Sequence, residues 1–354
     1  MKFLRIIINL IPQFYYIKTW FFKTNNELDF VFLFYIFSLI LGLSCNSLLI
    51  LWIVIEINFL TFIYILTILN LSKVKITRFR YYLIQSILRL LILFMLLSFI
   101  KETYRLMSYT LECCFFLKLG MAPGHLWFLI LIDKASWNQL FLLRTIQKFI
   151  PLNFLNLVYT HWSVIYINLT LIVSILNVFL SSSWKLLLGY SSLFFSSWVV
   201  ATIIVCNELW YALLWFYTLI FSIIYYLGKL ENLNILADFF RKKTIEIQFY
   251  LLFCLITLRG LPPIVGFFIK LWILRKILLL HVYLRVVLVL VSFSIIYLYF
   301  KLIFFRLLNS LNSSTNLGFL AIFNLWISTF LLFQFSFWIL LSSKFYYTLK
   351  SLRY

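Results

Sequence analysis

Acidic side chains are nearly missing from this 354-residue chain: ten Asp and Glu stand against 30 Lys and Arg, and charged residues of both signs make up only 11%. Soluble domains carry about 25%, so a water-exposed globular fold is excluded. Glycine is scarce too, with 8 residues, and proline with 5. That removes collagen-like and Gly/Pro-rich disordered architectures. It also removes a membrane bundle packed mainly on small residues. The five cysteines (Cys45, Cys113, Cys114, Cys206, Cys254) form no C-x-x-C pair, and three scattered histidines add no metal spacing. They read as small core residues. The apolar runs do not alternate with polar positions, which excludes a transmembrane β-barrel.

What fills the chain instead is hydrocarbon. Hydrophobic residues reach 65%, with 41 Phe and 22 Tyr, and the mean hydropathy is +1.06. The fold class is therefore an all-α polytopic membrane protein. Large apolar residues in place of small ones also fit an AT-rich coding sequence, such as an organelle's. Apolar segments near 30–45, 47–70, 80–100, 106–124, 137–158, 163–180, 184–205, 208–228, 247–270, 280–304 and 318–342 predict about eleven spans of roughly 20 residues. No soluble domain or long linker separates them, so residues 28–354 read as one transmembrane domain. Residues 1–27, with Lys2, Arg5, Lys18 and Lys23 around Pro12, read as a basic interfacial segment or an extra span.

The net charge of +20 sits in short loops, which points to membrane topology and anionic lipid rather than nucleic acid. Lys73, Lys75, Arg78 and Arg80 fall in one loop, and Lys229, Arg241, Lys242 and Lys243 in another. With this span count both loops share a side with the N-terminus. By the positive-inside rule that side is cytoplasmic or, in a mitochondrion, the matrix.

The helix breakers are not scattered. Lys118–Gly124 and Arg259–Gly266 together hold four of the eight glycines and three of the five prolines. Gly120 and Pro123 fall in the first, and Gly260, Pro262, Pro263 and Gly266 in the second. Broken backbone at membrane depth is tolerated only where it lines protein or a water cavity. Each break has a lysine close by, Lys118 in one and Lys270 beside the other. A lysine at the centre of a bilayer costs about 2.5–3.5 kcal/mol on insertion scales. The two breaks fall in the fourth and ninth predicted spans, an odd offset, so the second copy runs in the opposite direction. That is the pattern of an inverted-repeat transporter. Glu56 and Lys148 also fall inside apolar spans. Buried lysine switches protonation readily when a carboxylate or water approaches, so Glu56 is the expected partner of Lys118 and the set reads as a proton path. Arg89, in the third span, has no counterpart in that pattern. Asp133-Lys134 reads as a loop pair, and Trp20, Trp127 and Trp184 as an interfacial aromatic belt.

These residues carry a resemblance. Trp52-Ile-Val-Ile-Glu-Ile-Asn58 resembles W-x-x-L-E-x-N, and Arg80-Tyr-Tyr-Leu-Ile-Gln85 resembles K-Y-F-L-x-Q. Lys118-Leu-Gly-Met-Ala-Pro-Gly-His-Leu-Trp127 resembles K-L-G-x-A-P-x-H-x-W. Gln147-Lys148 with Pro151 resembles W-Q-K-x-x-P, Lys185 to Ser192 resembles K-x-L-A-Y-S-S, and Gly260 to Lys270 resembles G-L-P-P-x-x-G-F-x-x-K. In this order they are similar to the subunit 2 family of mitochondrial NADH:ubiquinone oxidoreductase (complex I), an antiporter-like membrane subunit. The family often has a histidine just after Tyr-Ser-Ser, where this chain has Leu193, Phe194 and Phe195.

The resemblance implies two inverted five-helix repeats with a broken helix in each. It gives Glu56 and Lys118 the entry-side ion pair, Lys148 the central relay and Lys270 the exit-side carrier. It implies no cofactor in this chain: NADH, FMN, iron–sulfur clusters and ubiquinone would belong to partner subunits. Partners would be other complex I membrane subunits, including neighbouring antiporter-like ones, and anionic lipids such as cardiolipin. The implied place is the mitochondrial inner membrane, with an organelle-encoded chain and its N-terminus in the matrix. Two rival readings share the scaffold: a stand-alone cation/proton antiporter, and a structural membrane subunit that does not pump.

Overall fold

The computed structural model describes residues 26–45, 47–68, 75–98, 104–160, 162–181, 183–205, 209–231, 250–251, 253–255, 257–258, 260, 265–277 and 282–310. Residues 1–25, most of the basic N-terminal segment, and the eleventh predicted span lie outside that set. So do Pro262 and Pro263. Among the described residues the regular structure is helical, without strands.

The helices follow the apolar runs. They are α1 (Asn26–Ser44), α2 (Leu48–Ile68), α3 (Lys75–Ser98), α4 (Tyr104–Leu119), α5 (Leu126–Lys134), α6 (Trp137–Arg144) and α7 (Phe149–Val158). After them come α8 (Ser163–Leu180), α9 (Trp184–Val205), α10 (Leu209–Leu230), α11 (Val265–Ile277) and α12 (Val282–Ser310). By length and composition α2, α3, α8, α9 and α10 are each apolar enough to cross a membrane. Of these α9 is the interior helix: 83% of its apolar window is buried, against 33–39% for the other four. Its polar face, Ser191, Ser192, Ser196, Ser197 and Thr202, is wholly inside the protein.

The chain forms two compact units. Among the described residues, one comprises those up to Thr170 with Ser191–Leu214; the other comprises Leu171–Tyr190 and those from Trp215 on. In the first unit α7 packs on α1 at Gly42, where an added Cβ would lie 2.9 Å from Ile150 Cγ1. Asn153 ties that contact by donating to the Gly42 carbonyl (2.7 Å) and accepting from the Tyr211 hydroxyl (2.7 Å). Buried amides are stable when satisfied in this way.

Two predicted spans differ from expectation. The fourth does not end in a loop after the break: it resumes as α5, and Asp133-Lys134 closes that helix rather than lying in a connection. The fifth is interrupted at mid-length. A 3₁₀ turn, Ile146–Lys148, separates α6 from α7, and Thr145 turns its hydroxyl back onto the Phe141 carbonyl (2.7 Å). Side-chain bonds of that kind bend helices.

The glycine breaks share one turn geometry. Gly120 has φ 74° and Gly260 has φ 76°. Each N–H donates to the carbonyl three residues back, Leu117 (3.1 Å) and Thr257 (3.2 Å). Only glycine takes this left-handed backbone without steric cost. Gly120→Ala is expected to lose roughly 1–2 kcal/mol to backbone strain alone. Crowding adds to that, because the new Cβ would sit 2.7 Å from Phe128 Cβ. The thermal inactivation temperature of the purified protein reads this out. A variant as stable as the parent would show that the break tolerates a side chain.

Candidate functional site: buried lysines at helix breaks

Lys118 occupies the last turn of α4, where the negative end of the helix dipole favours a cation. Its Nζ is buried and has no hydrogen-bond partner. The break beside it is closed by Trp127, whose indole N–H donates to the Leu117 carbonyl at 3.0 Å. Trp127 is therefore part of the site rather than of an interfacial belt. Trp184 is fully buried, and Trp20 lies outside the described residues.

Two small cavities meet at Lys118. One, with about 20 Å³ open to the centre of a water molecule, is lined by Tyr81, Gln85, Trp127, Gln147 and Lys148 along with Lys118. The other, about 10 Å³, reaches Asn58 on α2 and again includes Tyr81, Gln85 and Gln147. A buried water needs about 10–15 Å³ and two or more polar partners. The first cavity meets both conditions. Gln147 Nε2, which has no partner within the protein, supplies a donor there.

Lys148 ends the 3₁₀ turn, is 2% exposed and donates to the Ser192 carbonyl of α9 at 3.0 Å. One residue earlier on α9, the Ser191 hydroxyl accepts from Arg144 Nη2 at 2.9 Å. The Tyr-Ser-Ser segment thus receives two cations from the α6–α7 region. The sequence reading gave Arg144 no role.

Glu56 does not pair with Lys118. Its carboxylate forms an ion pair with Arg89 of α3, the residue for which the sequence offered no reason. Arg89 lies 3.6 Å from the centroid of the Phe59 ring, a cation–π contact, and its Nε donates to the Gln85 carbonyl at 3.3 Å. Sequence reasoning missed Glu112 altogether. It is fully buried in α4 and accepts from the Thr160 hydroxyl through Oε2, while Oε1 has no partner. An acidic residue within a run otherwise apolar was the signal available for it.

In the second unit Lys270 is 3% exposed on α11 and donates to the Leu258 carbonyl at 3.1 Å. Gly266 permits this arrangement, since a Cβ there would lie 2.3 Å from the Thr257 carbonyl oxygen. The start of α11 thus presses against the backbone that ends before Gly260. No cluster of metal-ligating residues occurs among the described residues.

No protein-family model matches the chain. It is 28% identical to NADH-ubiquinone oxidoreductase chain 2 of Locusta migratoria over 78% of this chain and 84% of that protein. The same protein of Artemia franciscana is 29% identical over 75% and 86%. The chain is similar to NADH-ubiquinone oxidoreductase chain 2 over most of its length. Solved structures agree on the fold. A chain of respiratory complex I from Thermus thermophilus superimposes with a TM-score of 0.70 at 19% identity, covering 79% of this chain and 70% of that one. A chain of the Mrp complex from Dietzia sp. DQ12-45-1b gives 0.64 at 13%, covering 77% and 59%. The chain therefore has the fold shared by those membrane subunits.

The Thr160–Glu112 bond yields a direct expectation. Thr160→Val removes the hydroxyl donor from the buried carboxyl and leaves it only the backbone N–H of residue 160, a loss of roughly 1–3 kcal/mol, whereas Thr160→Ser keeps the donor. Thermal stability of the purified protein should fall with valine and stay near the parent with serine. Equal stability of the two variants would show that the carboxyl finds another partner.

Proposed function

We propose that this chain is a proton-translocating membrane-arm subunit of respiratory complex I in the mitochondrial inner membrane. The observation that carries the reading is the unpartnered ammonium of Lys118 at a cavity that also contains Lys148. A lysine without a fixed ligand can take up a proton from water and release it again. A cavity with room for one water and polar groups on its walls supplies a hydrogen-bonded step to the next amine.

In this reading Lys118 accepts the proton, Lys148 relays it and Lys270 delivers it on the exit side. Glu56 provides the negative charge of the entry half. Lys148 and Lys270 each donate to a backbone carbonyl, which cannot lose or gain a proton, so a proton that leaves either amine does not leave through that bond. NADH, FMN, iron–sulfur clusters and ubiquinone belong to partner subunits, whose redox turnover drives the movement; this chain contributes no redox centre. Its neighbours are other membrane subunits of the complex, antiporter-like ones among them. Its +20 charge suits anionic lipid such as cardiolipin. The N-terminus faces the matrix and the chain is organelle-encoded.

The likeness to the Mrp complex chain favours one alternative, a stand-alone cation/proton antiporter. Co-purification separates the two, because an antiporter runs free of subunits that contain flavin and iron–sulfur clusters. For the pumping role, Lys118→Met and Lys270→Met should each lower protons moved per NADH oxidised in sealed vesicles while the complex still assembles. An unchanged ratio in both variants would refute the role.

A further inference from the structure

One buried acid has no part in the proton path above. Glu112 of α4 is fully buried and is held by Thr160 through its hydroxyl and its backbone N–H. Its Oε1 has no partner, and among the described residues no basic side chain pairs with it. Thr160 stands in the loop between α7 and α8. There its hydroxyl accepts from the Trp162 N–H (3.3 Å) and its carbonyl accepts from the Ser163 hydroxyl (2.7 Å). The single hydroxyl proton is left for Glu112. Tyr109, Tyr159 and Trp162 are exposed around this loop, and the Tyr109 and Trp162 rings meet edge to face at 5.9 Å. Exposed Tyr and Trp gather at the membrane–water interface. A buried acid therefore lies under an interfacial loop and is tied to it by one residue.

The other end of the same seam is the lysine cavity. The pairs Glu112–Thr160 and Phe115–Phe154 make α4 and α7 antiparallel, and three levels follow one another between them. At the surface Glu112 meets Thr160. Next, Phe115 stacks on Phe154 with ring centroids 4.5 Å apart. At the inner level Lys118 lines the smaller cavity with Ile150 and Pro151, and the larger one with Leu119 and Lys148. Glu112, Phe115 and Leu119 recur at helical spacing on one face of α4. Six residues separate Glu112 from Lys118, about 9 Å along the axis. A pair of rings lies between the acid and the cavity.

We propose that Glu112 is a proton-exchange group near the membrane surface, through which the lysine cavity communicates with water at the α7–α8 loop. This rests on the proton-moving reading above. When the loop lifts Thr160 away, water replaces its hydroxyl at Oε2. A proton then passes from that water to the carboxylate, or from the carboxyl to that water. When Thr160 returns, the acid is shut off from the surface. On the inner side the proton passes between the carboxyl and water of the cavity only while the Phe115–Phe154 stack is open. Neither Thr160 nor the rings gain or lose a proton. The two closures lie on opposite sides of one acid, so it exchanges with one side at a time.

The test uses the assembled complex, native and with Glu112→Gln, Thr160→Val and Thr160→Ser. Glutamine keeps an oxygen that accepts from Thr160 and removes the acid, so a role in packing alone survives that substitution. Dicyclohexylcarbodiimide, an apolar reagent that forms a stable acylurea with a protonated carboxyl, is applied to the native complex, and mass spectrometry locates the label. Glu112 is expected to be labelled, and protons moved per NADH in sealed vesicles are expected to fall in Glu112→Gln. An unlabelled Glu112 overturns the proposal, and so does an unchanged ratio in Glu112→Gln. Thr160→Val removes the outer closure, so Glu112 should label faster than in the native complex, while Thr160→Ser should label at the native rate. Equal rates in all three overturn closure by Thr160. If Glu112→Gln fails to assemble, labelling of the native complex decides alone. Lys118→Met separates this from failure of the underlying reading. That failure leaves the ratio intact in Lys118→Met as well, whereas failure of the Glu112 proposal alone lowers it in Lys118→Met and not in Glu112→Gln.

Discussion

An ammonium group inside a membrane must find oxygen, and in this chain most of that oxygen comes from backbone. Lys270 takes the Leu258 carbonyl and Lys148 takes the Ser192 carbonyl, at 3.1 and 3.0 Å. A continuous helix has few carbonyls to spare, because each interior one already accepts from the N–H four residues on. Interrupted helices release some. The left-handed Gly260 leaves the Leu258 carbonyl for Lys270 in this way, whereas Lys148 shares the Ser192 carbonyl of unbroken α9. Where a freed carbonyl is not taken by a lysine it is taken by another donor, as Trp127 takes that of Leu117.

The lysines are consequently not equivalent. Two are tethered and one is not, and the untethered one adjoins the cavities. Glu56 is paired with Arg89 rather than with Lys118. A chain with Glu56 and Lys118 locked together would satisfy both charges and leave neither amine nor cavity available for proton uptake.

Much of this was legible in the residues, and the parts that were not share a cause. The spans followed from unbroken apolar runs, and the two glycine breaks from clustering of Gly and Pro beside lysine. Helix boundaries such as 163–180 and 184–205 fell where the structure has them. Partner identity was harder. Periodicity says which face of a helix a residue occupies but not which neighbouring helix covers that face. In an apolar chain nearly every face is apolar. Glu56 was therefore assigned to the lysine expected of it, and Arg89, the cation actually against it, had no role. The interruption at Thr145–Lys148 has no glycine, and Pro151 falls after it within α7, so sequence offered no breaker at the right place. Glu112 was overlooked because its partner Thr160 lies 48 residues away in a loop.

The scarcity of small residues sets the last constraint. With few glycines at helix contacts, the first unit packs through aromatic rings: Phe115 on Phe154 and Phe116 on Tyr166, both with centroids 4.5 Å apart. Leu193, Phe194 and Phe195 are buried just past Ser192, where the related family often has a histidine. Rings of this size fill space that polar side chains and water would otherwise share, and close packing leaves only voids of about one water. The cavities at Lys118 have that size. A proton can step across one water within such a void, but it cannot pass a stacked pair of phenylalanines without their moving apart. In the proposed pumping role, the same bulky residues that replace glycine as packing material are the barrier to leakage, and a proton passes them only when side chains rearrange rather than along a standing wire of water.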